Sequence, residues 1–126
     1  MSAARGTLAA VAALATALAL VACDGRYDPL ACTLEARAGI TIDLSDETGE
    51  PLPVDDAVGR AVEGDRVLTL EPFFAQLVGA WEAPGVYTVT VEKPGFAPWV
   101  RADVRVEDGG CHVVPVRLEA VLSPSP

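Results

Sequence analysis

Three cysteines and one histidine are the side chains with the greatest capacity for chemistry in this sequence. Cys23 ends an apolar run, Cys32 follows it, and Cys111 stands directly before His112, the single histidine of 126 residues. A cysteine–histidine nucleophile needs a free thiolate held against the imidazole. A zinc site needs three or four nitrogen or sulfur ligands. The spacing of these residues matches neither arrangement, so we expect no catalytic residue, no metal and no cofactor.

Acidic residues offer one further kind of site, because hard oxygen ligands suit Ca²⁺. The acids surround one turn and the segment that follows it: Asp43, Asp46, Glu47, Glu50, Asp55 and Asp56. Their spacing follows no fixed ligand pattern such as an EF-hand loop, so calcium binding is left open. The chain carries 18 acidic and 9 basic residues, a net charge of −9. This excess argues against binding to nucleic acid through charge.

The N-terminal segment predicts export. Arg5 precedes residues 8–22, which are apolar apart from one threonine and are followed by Asp24. This run is shorter than the roughly 20 residues of a spanning helix, and it suits the apolar region of a signal peptide. The alternative reading is a plain signal peptide followed by an incidental cysteine.

The end of this run, Leu20-Val21-Ala22-Cys23, resembles the lipobox of bacterial lipoproteins. The resemblance implies a helical signal peptide over residues 1–22 and lipidation of Cys23 with diacylglycerol and palmitate. It implies an anchor in a membrane of the bacterial cell envelope, facing the periplasm or the exterior. Residues 23–31 would then form a tether. Which membrane holds the anchor is left open.

Alternation of apolar and polar residues dominates the remainder of the chain. Four runs show it clearly and three weakly: residues 34–44, 87–91, 100–106 and 114–120, then residues 57–62, 66–70 and 76–81. A period of two predicts strands with one buried and one wet face. Pro115 predicts an edge position or a bulge. We therefore expect an all-β domain over residues 32–122, a seven-strand sandwich, with a frayed tail at residues 123–126.

Three segments carry a family resemblance. Residues 41–52 read as a strand followed by Asp-Glu-Thr-Gly-Glu-Pro-Leu, residues 84–98 read Pro-Gly-Val-Tyr-Thr-Val-Thr-Val-Glu-Lys-Pro-Gly-Phe-Ala-Pro, and residues 111–118 read as a closing strand. In this order they resemble carboxypeptidase-regulatory-like domains. The resemblance implies a prealbumin-like (transthyretin-like) Greek-key β-sandwich that serves as an accessory or interaction module. Residues 55–82 depart from the family pattern, and their strand register is left open.

A disulfide between Cys32 and Cys111 is the second site prediction. With Cys23 lipidated, two cysteines remain in an oxidising compartment, where an even number favours a bridge. In sandwiches of the transthyretin kind the first and last strands are parallel neighbours, so the resemblance brings both strand starts to one end of the sheet. The alternative is two buried free thiols.

We expect a non-enzymatic lipoprotein whose sandwich is a binding or structural module, with the membrane and an envelope protein or glycan as partners. The alternatives are an accessory domain of an envelope peptidase, a transthyretin-like hydrolase, or a carbohydrate-binding module. The hydrolase would need a group of histidine and arginine side chains, and the single histidine of this chain argues against it. The sugar-binding reading needs an exposed platform from Tyr87, Phe96 and the two tryptophans, Trp81 and Trp99. We expect Phe73, Phe74 and Trp81 to lie in the core.

Overall fold

The computed structural model describes residues 32–126, which form eight β-strands. The strands are β1 (Ala38–Asp46), β2 (Val58–Glu63), β3 (Arg66–Phe73), β4 (Gln76–Trp81), β5 (Gly85–Glu92), β6 (Trp99–Asp108), β7 (Val113–Val114) and β8 (Val116–Leu122). An all-β domain is therefore confirmed for this part of the chain. No helix that could span a membrane occurs within it. The predicted signal helix over residues 1–22, Cys23 and the tether that follows lie outside the described residues.

The eight strands form one curled sheet in the order β7-β6-β5-β2-β3-β4-β1-β8. Neighbouring strands are antiparallel, except that β1 and β8 run parallel. Strand β3 links the two halves, since residues 66–70 pair with β2 and residues 71–73 pair with β4. The sheet is nearly closed, because β6 also contacts β8 and β1 contacts β7.

Alternate side chains of the strands fill the space inside the curl. The largest fully buried ones are Ile40, Ile42, Leu70, Leu77, Tyr87, Val89, Val91, Val106 and Leu122. Burying one such aliphatic or aromatic side chain stabilises a fold by about 1.5–3 kcal/mol. The predicted inward positions of β5, and those of β1 from Ile40 onward, are confirmed by this burial.

The inward face of β6 differs from the prediction at its first half. Val100 is 58% exposed, whereas Val104 and Val106 are buried. Asp103 has a φ of 57°, and the pairing with β5 shifts between Tyr87 and Val89. An extra residue in one strand forms a β-bulge, which inverts the alternation on either side of it. The predicted alternation through residues 100–106 was therefore wrong before the bulge and right after it.

The beginning of β1 also differs from the prediction. Strand pairing starts at Ala38, opposite Trp81, and Leu34 is fully exposed. Residues 33–37 lie beyond the end of β4, so no strand stands beside them to complete a ladder. The predicted strand over residues 34–44 was therefore four residues too long at its start.

Proline sets the break between β7 and β8. Pro115 separates Val113–Val114, which pairs with β6, from Val116–Leu122, which pairs with β1. Proline has no backbone N–H for a ladder, so the chain crosses from one half of the sheet to the other at this point. The crossing makes eight strands where seven were predicted, and it buries Val113 rather than Val114.

The two ends of the sheet are distinct, and we name them by the path of the chain. The entry end holds Cys32, Trp81 and the start of β8, and the far end holds Asp46, the β3–β4 turn and the end of β8. Residues 123–126, predicted as a frayed tail, pair with the β5–β6 loop at the far end. The Ala97 amide donates to the Ser123 carbonyl (2.8 Å) and the Ser125 amide donates to the Gly95 carbonyl (2.9 Å).

Candidate functional site

The β3–β4 hairpin presents two aromatic side chains to solvent at the far end. Phe73 is 55% exposed and Phe74 is 89% exposed, and their rings meet edge to face with centroids 4.8 Å apart. The prediction that they lie in the core with Trp81 was wrong, since Trp81 is also exposed. The reason is that Phe73 and Gln76 form the last pair of the ladder, so the turn residue Phe74 has no strand to pack against.

The turn itself is strained at Phe74. Phe74 and Ala75 form a two-residue turn in which Phe74 has a φ of 54°. A bulky residue at positive φ is uncommon, and a turn with positive φ at its first central position favours glycine there. The β2–β3 hairpin of the same chain places Gly64, with a φ of 57°, at that position. Strain of this kind clusters at functional sites, so Phe74 is a candidate for function.

An acidic concavity lies beside this hairpin, and we call it the acidic bowl. Its volume is about 490 Å³, and its lining is Asp43, Leu44, Ser45, Asp46, Glu47, Gly49, Pro51, Ala75, Glu119 and Val121. Ala75 belongs to the aromatic turn, and Glu119 and Val121 come from the outward face of β8. None of the described residues that line the bowl is basic. The bowl therefore carries negative charge next to an apolar projection.

Two carboxylates of the bowl are held ionised by their hydrogen bonds. The Arg117 guanidinium donates to Asp43 at 2.6 Å and the Gln76 amide donates to it at 2.9 Å. The bond from Arg117 is the main cause that lowers the pKa of Asp43 from its ordinary value of 3.8. A bond from the Thr48 hydroxyl (2.6 Å) likewise lowers the pKa of Asp46. Both groups are anionic at neutral pH.

The hydrogen bonds to Asp46 hold the acidic turn in its conformation. One oxygen of Asp46 accepts from the Thr48 hydroxyl and from the amides of Thr48 and Glu50. Among residues 32–126, no three histidine, cysteine or acidic side chains are grouped as a metal site requires. The acidic turn therefore supplies local structure and negative charge, and we propose no calcium site there.

A buried lysine stabilises the loop next to the tail at the far end. Lys93 is buried, donates to the Pro53 carbonyl at 2.9 Å and forms an ion pair with Asp56. The hydrogen bond from Lys93 lowers the pKa of Asp56. These contacts tie the β5–β6 loop to the segment that precedes β2, so the charge of Lys93 is already neutralised at this end.

His112 lies at the entry end, in a chain of hydrogen bonds that sequence reasoning missed. Its Nε2 is 2.8 Å from the Thr33 hydroxyl and its Nδ1 is 3.0 Å from a Glu82 oxygen. The other Glu82 oxygen accepts from the Arg37 amide at 3.0 Å. Burial raises the pKa of Glu82, but the bonds from His112 and Arg37 lower it further than burial raises it. Only folding brings Thr33 and Glu82 to the histidine, so spacing along the chain gave no signal.

The order hydroxyl, imidazole, carboxylate is that of a nucleophile triad. In this chain the three groups connect residues 33–37, which lie outside the sheet, to the end of β4 and to the residue after Cys111. Thr33, Glu82 and His112 do not line the acidic bowl. They also do not line the two other concavities described, which are formed within residues 56–98 and 85–108. The arrangement therefore fastens the leading segment to the domain.

The structure contains the predicted disulfide between Cys32 and Cys111. The two Cα atoms lie 5.0 Å apart, inside the window of about 4.4–6.8 Å that such bridges occupy. The pairing of β1 with β8 is parallel, so the segments that lead into both strands arrive at the entry end. Cys23, the predicted lipidation site, lies outside the described residues.

The four aromatic residues weighed as a sugar-binding platform do not share one exposed surface. Tyr87 is 1% exposed, and its hydroxyl donates to the Ala83 carbonyl at 2.7 Å. Phe96 and Trp99 are half-buried against the core at the far end, whereas Trp81 pairs with Ala38 at the entry end.

No family model matches this chain, and no curated protein is significantly similar to it.

Proposed function

We propose that this chain is a non-enzymatic lipoprotein of the bacterial cell envelope, held by a lipid on Cys23, whose β-domain is a binding module. The observation that carries the proposal is the aromatic hairpin beside the acidic bowl, at the end of the sheet opposite Cys32. Exposed apolar side chains next to polar ones are typical of protein interaction sites. This surface therefore lies at the opposite end of the domain from Cys32, the first residue that the structure describes.

The proposed location is supported by two features of the sequence and one of the structure. Leu20-Val21-Ala22-Cys23 follows an apolar run of signal-peptide length. The Cys32–Cys111 disulfide suits an oxidising compartment outside the cytoplasm. A lipid with two or more acyl chains anchors a protein stably without a spanning helix.

A prealbumin-like Greek-key β-sandwich of the carboxypeptidase-regulatory-like kind is the fold we propose for the domain. Its support is the division of the sheet at β3, with β4, β1 and β8 on one side and β2, β5 and β6 on the other. The parallel pairing of β1 with β8 is the pairing expected of first and last strands in such sandwiches.

A non-enzymatic role is supported by the use of the one histidine. Its contacts with the Thr33 hydroxyl and with Glu82 fasten the segment of residues 33–37 to the domain. None of these three side chains lines the acidic bowl or either of the other two concavities described for residues 32–126.

Lipidation is tested with the full chain in a bacterial host. We expect the wild type in the membrane fraction, with a mass that shows a lipid on Cys23, and Cys23→Ala either released or unprocessed. Leu34→Ala is a matched control, since Leu34 is fully exposed and lies outside the lipobox. Processing and membrane retention of Cys23→Ala equal to those of the wild type would refute the anchor.

A further inference from the structure

We propose that the aromatic hairpin and the acidic bowl form one docking surface for a basic segment of a partner protein. In this complex an apolar side chain of the partner packs against Phe73 and Phe74, and neighbouring lysine or arginine side chains enter the bowl. The inference rests on the proposed function and deepens it, because it names the chemistry of the partner.

The first step concerns the apolar half of the surface. Two phenylalanines stand in solvent at a turn whose geometry favours glycine, and the chain uses glycine at the equivalent Gly64. A fold selected for stability alone would place a small or polar residue at position 74. Aromatic anchors that fit an apolar partner are typical of the centre of protein interfaces.

The second step is the continuity of the two halves. Ala75, the second residue of the aromatic turn, lines the bowl. Gln76, the next residue, donates to Asp43 at 2.9 Å across the β1–β4 pair. The phenylalanines and the carboxylates therefore lie on adjacent parts of one surface, within reach of a single short segment.

The third step is the choice of occupant by charge. Asp46, Glu47 and Glu119 line the bowl, and Arg117 is already bound to Asp43. A second copy of this chain would bring a further net charge of −9, and an anionic lipid surface would be repelled in the same way. A cationic segment is attracted, and complementary charge of this kind sets partner choice and association rate.

The fourth step is position. Strand β1 has nine residues, so at about 3.3 Å per residue its ends lie roughly 26 Å apart. The docking surface is at one of these ends and Cys32 is at the other. The docking surface therefore lies at the end of the described domain opposite the disulfide.

The test selects ligands from a library of random displayed peptides on the immobilised full chain. We expect enrichment of peptides that combine an apolar residue with two or more lysines or arginines. Binding of the enriched peptides should fall at least tenfold for the double variant Phe73→Ser/Phe74→Ser and for Glu47→Lys/Glu119→Lys. Val100→Ser is the matched control, because Val100 is similarly exposed but lies on β6, and it should bind like the wild type.

Four outcomes would overturn the proposal. They are absence of enrichment, enrichment without basic residues, phenylalanine-dependent self-association in light scattering, and phenylalanine-dependent binding to vesicles of anionic phospholipid. Circular dichroism of each variant verifies that a lost interaction is not a lost fold. If Cys23 carries no lipid and basic peptides still bind, the docking surface stands and the lipoprotein assignment fails. If Cys23 is lipidated and no peptides are selected, the lipoprotein assignment stands and the docking surface fails.

Discussion

Phe74 and Gly64 occupy the same position in two hairpin turns, yet only glycine suits the left-handed backbone that both adopt. A left-handed conformation costs a residue with a side chain about 1–2 kcal/mol. Phe74 has almost no packing to offset this cost, since its side chain is nearly all in solvent. The strain is therefore a property of the aromatic hairpin that substitution can measure.

We expect Phe74→Gly to raise the free energy of unfolding by about 0.5–1 kcal/mol, the relief of strain less the greater entropy that glycine loses on folding. Urea denaturation of the full chain measures it. The mirror control is Gly64→Ala, which should lower stability by about 1 kcal/mol, because a Cβ at Gly64 would meet no atom within 4 Å and strain alone would act. Equal stability of Phe74→Gly and wild type would show that the turn is not strained.

Asp43 makes the stability of the domain depend on acid pH. Its pKa is lowered in the folded state by the hydrogen bond from Arg117, so the unfolded state binds the proton more tightly. The stabilisation is complete above the ordinary value of 3.8 and is lost as the pH falls through the lower folded pKa. Because Arg117 is largely exposed, we expect Asp43→Asn to cost only about 0.2–1 kcal/mol at neutral pH.

The measurement is the free energy of unfolding of wild type and Asp43→Asn over about pH 2–7. The difference between the two should be constant at neutral pH and shrink toward zero in acid. Arg117→Gln should show the same shrinking difference, because it removes the other half of the pair. A difference that persists unchanged in acid would assign the stabilisation to something other than the ionised carboxylate.

Among the elements, the leading segment of residues 32–37 depends most on contacts outside the sheet. It is held by the disulfide to Cys111, by the Thr33 hydroxyl at His112 and by the Arg37 amide at Glu82. The disulfide closes a sequence separation of 79 residues. Cross-linking a loop of this length stabilises a fold by up to about 4–5 kcal/mol through the entropy of the unfolded chain.

We therefore expect Cys32→Ser/Cys111→Ser to lower the free energy of unfolding by as much as about 4 kcal/mol. The folded state should survive, because the core strands do not include either cysteine. Urea midpoints compare the variant with the wild type, and Cys23→Ser alone serves as the thiol control. Incorporation of two alkyl groups into the unreduced wild-type domain, seen by mass spectrometry, would contradict the bridge itself.

Local alternation in the sequence predicted where the strands occur. The burial of each strand face and the ends of each strand depended instead on the neighbouring strands. In β5 the alternation of Tyr87, Val89 and Val91 predicted burial correctly, because both sides of that strand are paired. In β6 the predicted alternation failed before Val104, because one extra residue in this strand inverts which side chains face the core. No pattern in the sequence marks a bulge at Asp103.

The candidate site was the hardest feature to predict. Hydrophobicity alone places Phe73 and Phe74 in a core, and only the turn geometry puts them in solvent. The acids around Asp46 were visible in the sequence. Their grouping with Glu119 and Ala75 depends on the parallel pairing of β8 and on the β3–β4 register, both of which were beyond local patterns.

For the whole molecule, the net charge of −9 exerts a self-repulsion that folding concentrates. We expect the melting temperature to rise when the ionic strength increases from about 0.01 M to about 0.1 M, because the Debye length falls from about 30 Å to about 10 Å. Calorimetry of the full chain at the two salt concentrations checks this. A charge-reversing variant, Glu47→Lys/Glu119→Lys, should show a smaller rise, and a melting temperature that falls with salt would mean that attractive pairs dominate.

The disulfide and the parallel pairing of β1 with β8 also determine how the domain responds to a force applied between Cys32 and its C-terminus. With the bridge intact, the covalent path of the force runs from Cys32 to Cys111 and on through β7 and β8, so it bypasses residues 33–110. Strand β8 is already extended and can lengthen little. After reduction the force enters β1 at its start and leaves β8 at its end, and the seven parallel residue pairs are sheared together rather than peeled apart. The domain is thus an inextensible link when oxidised and a breakable mechanical clamp when reduced.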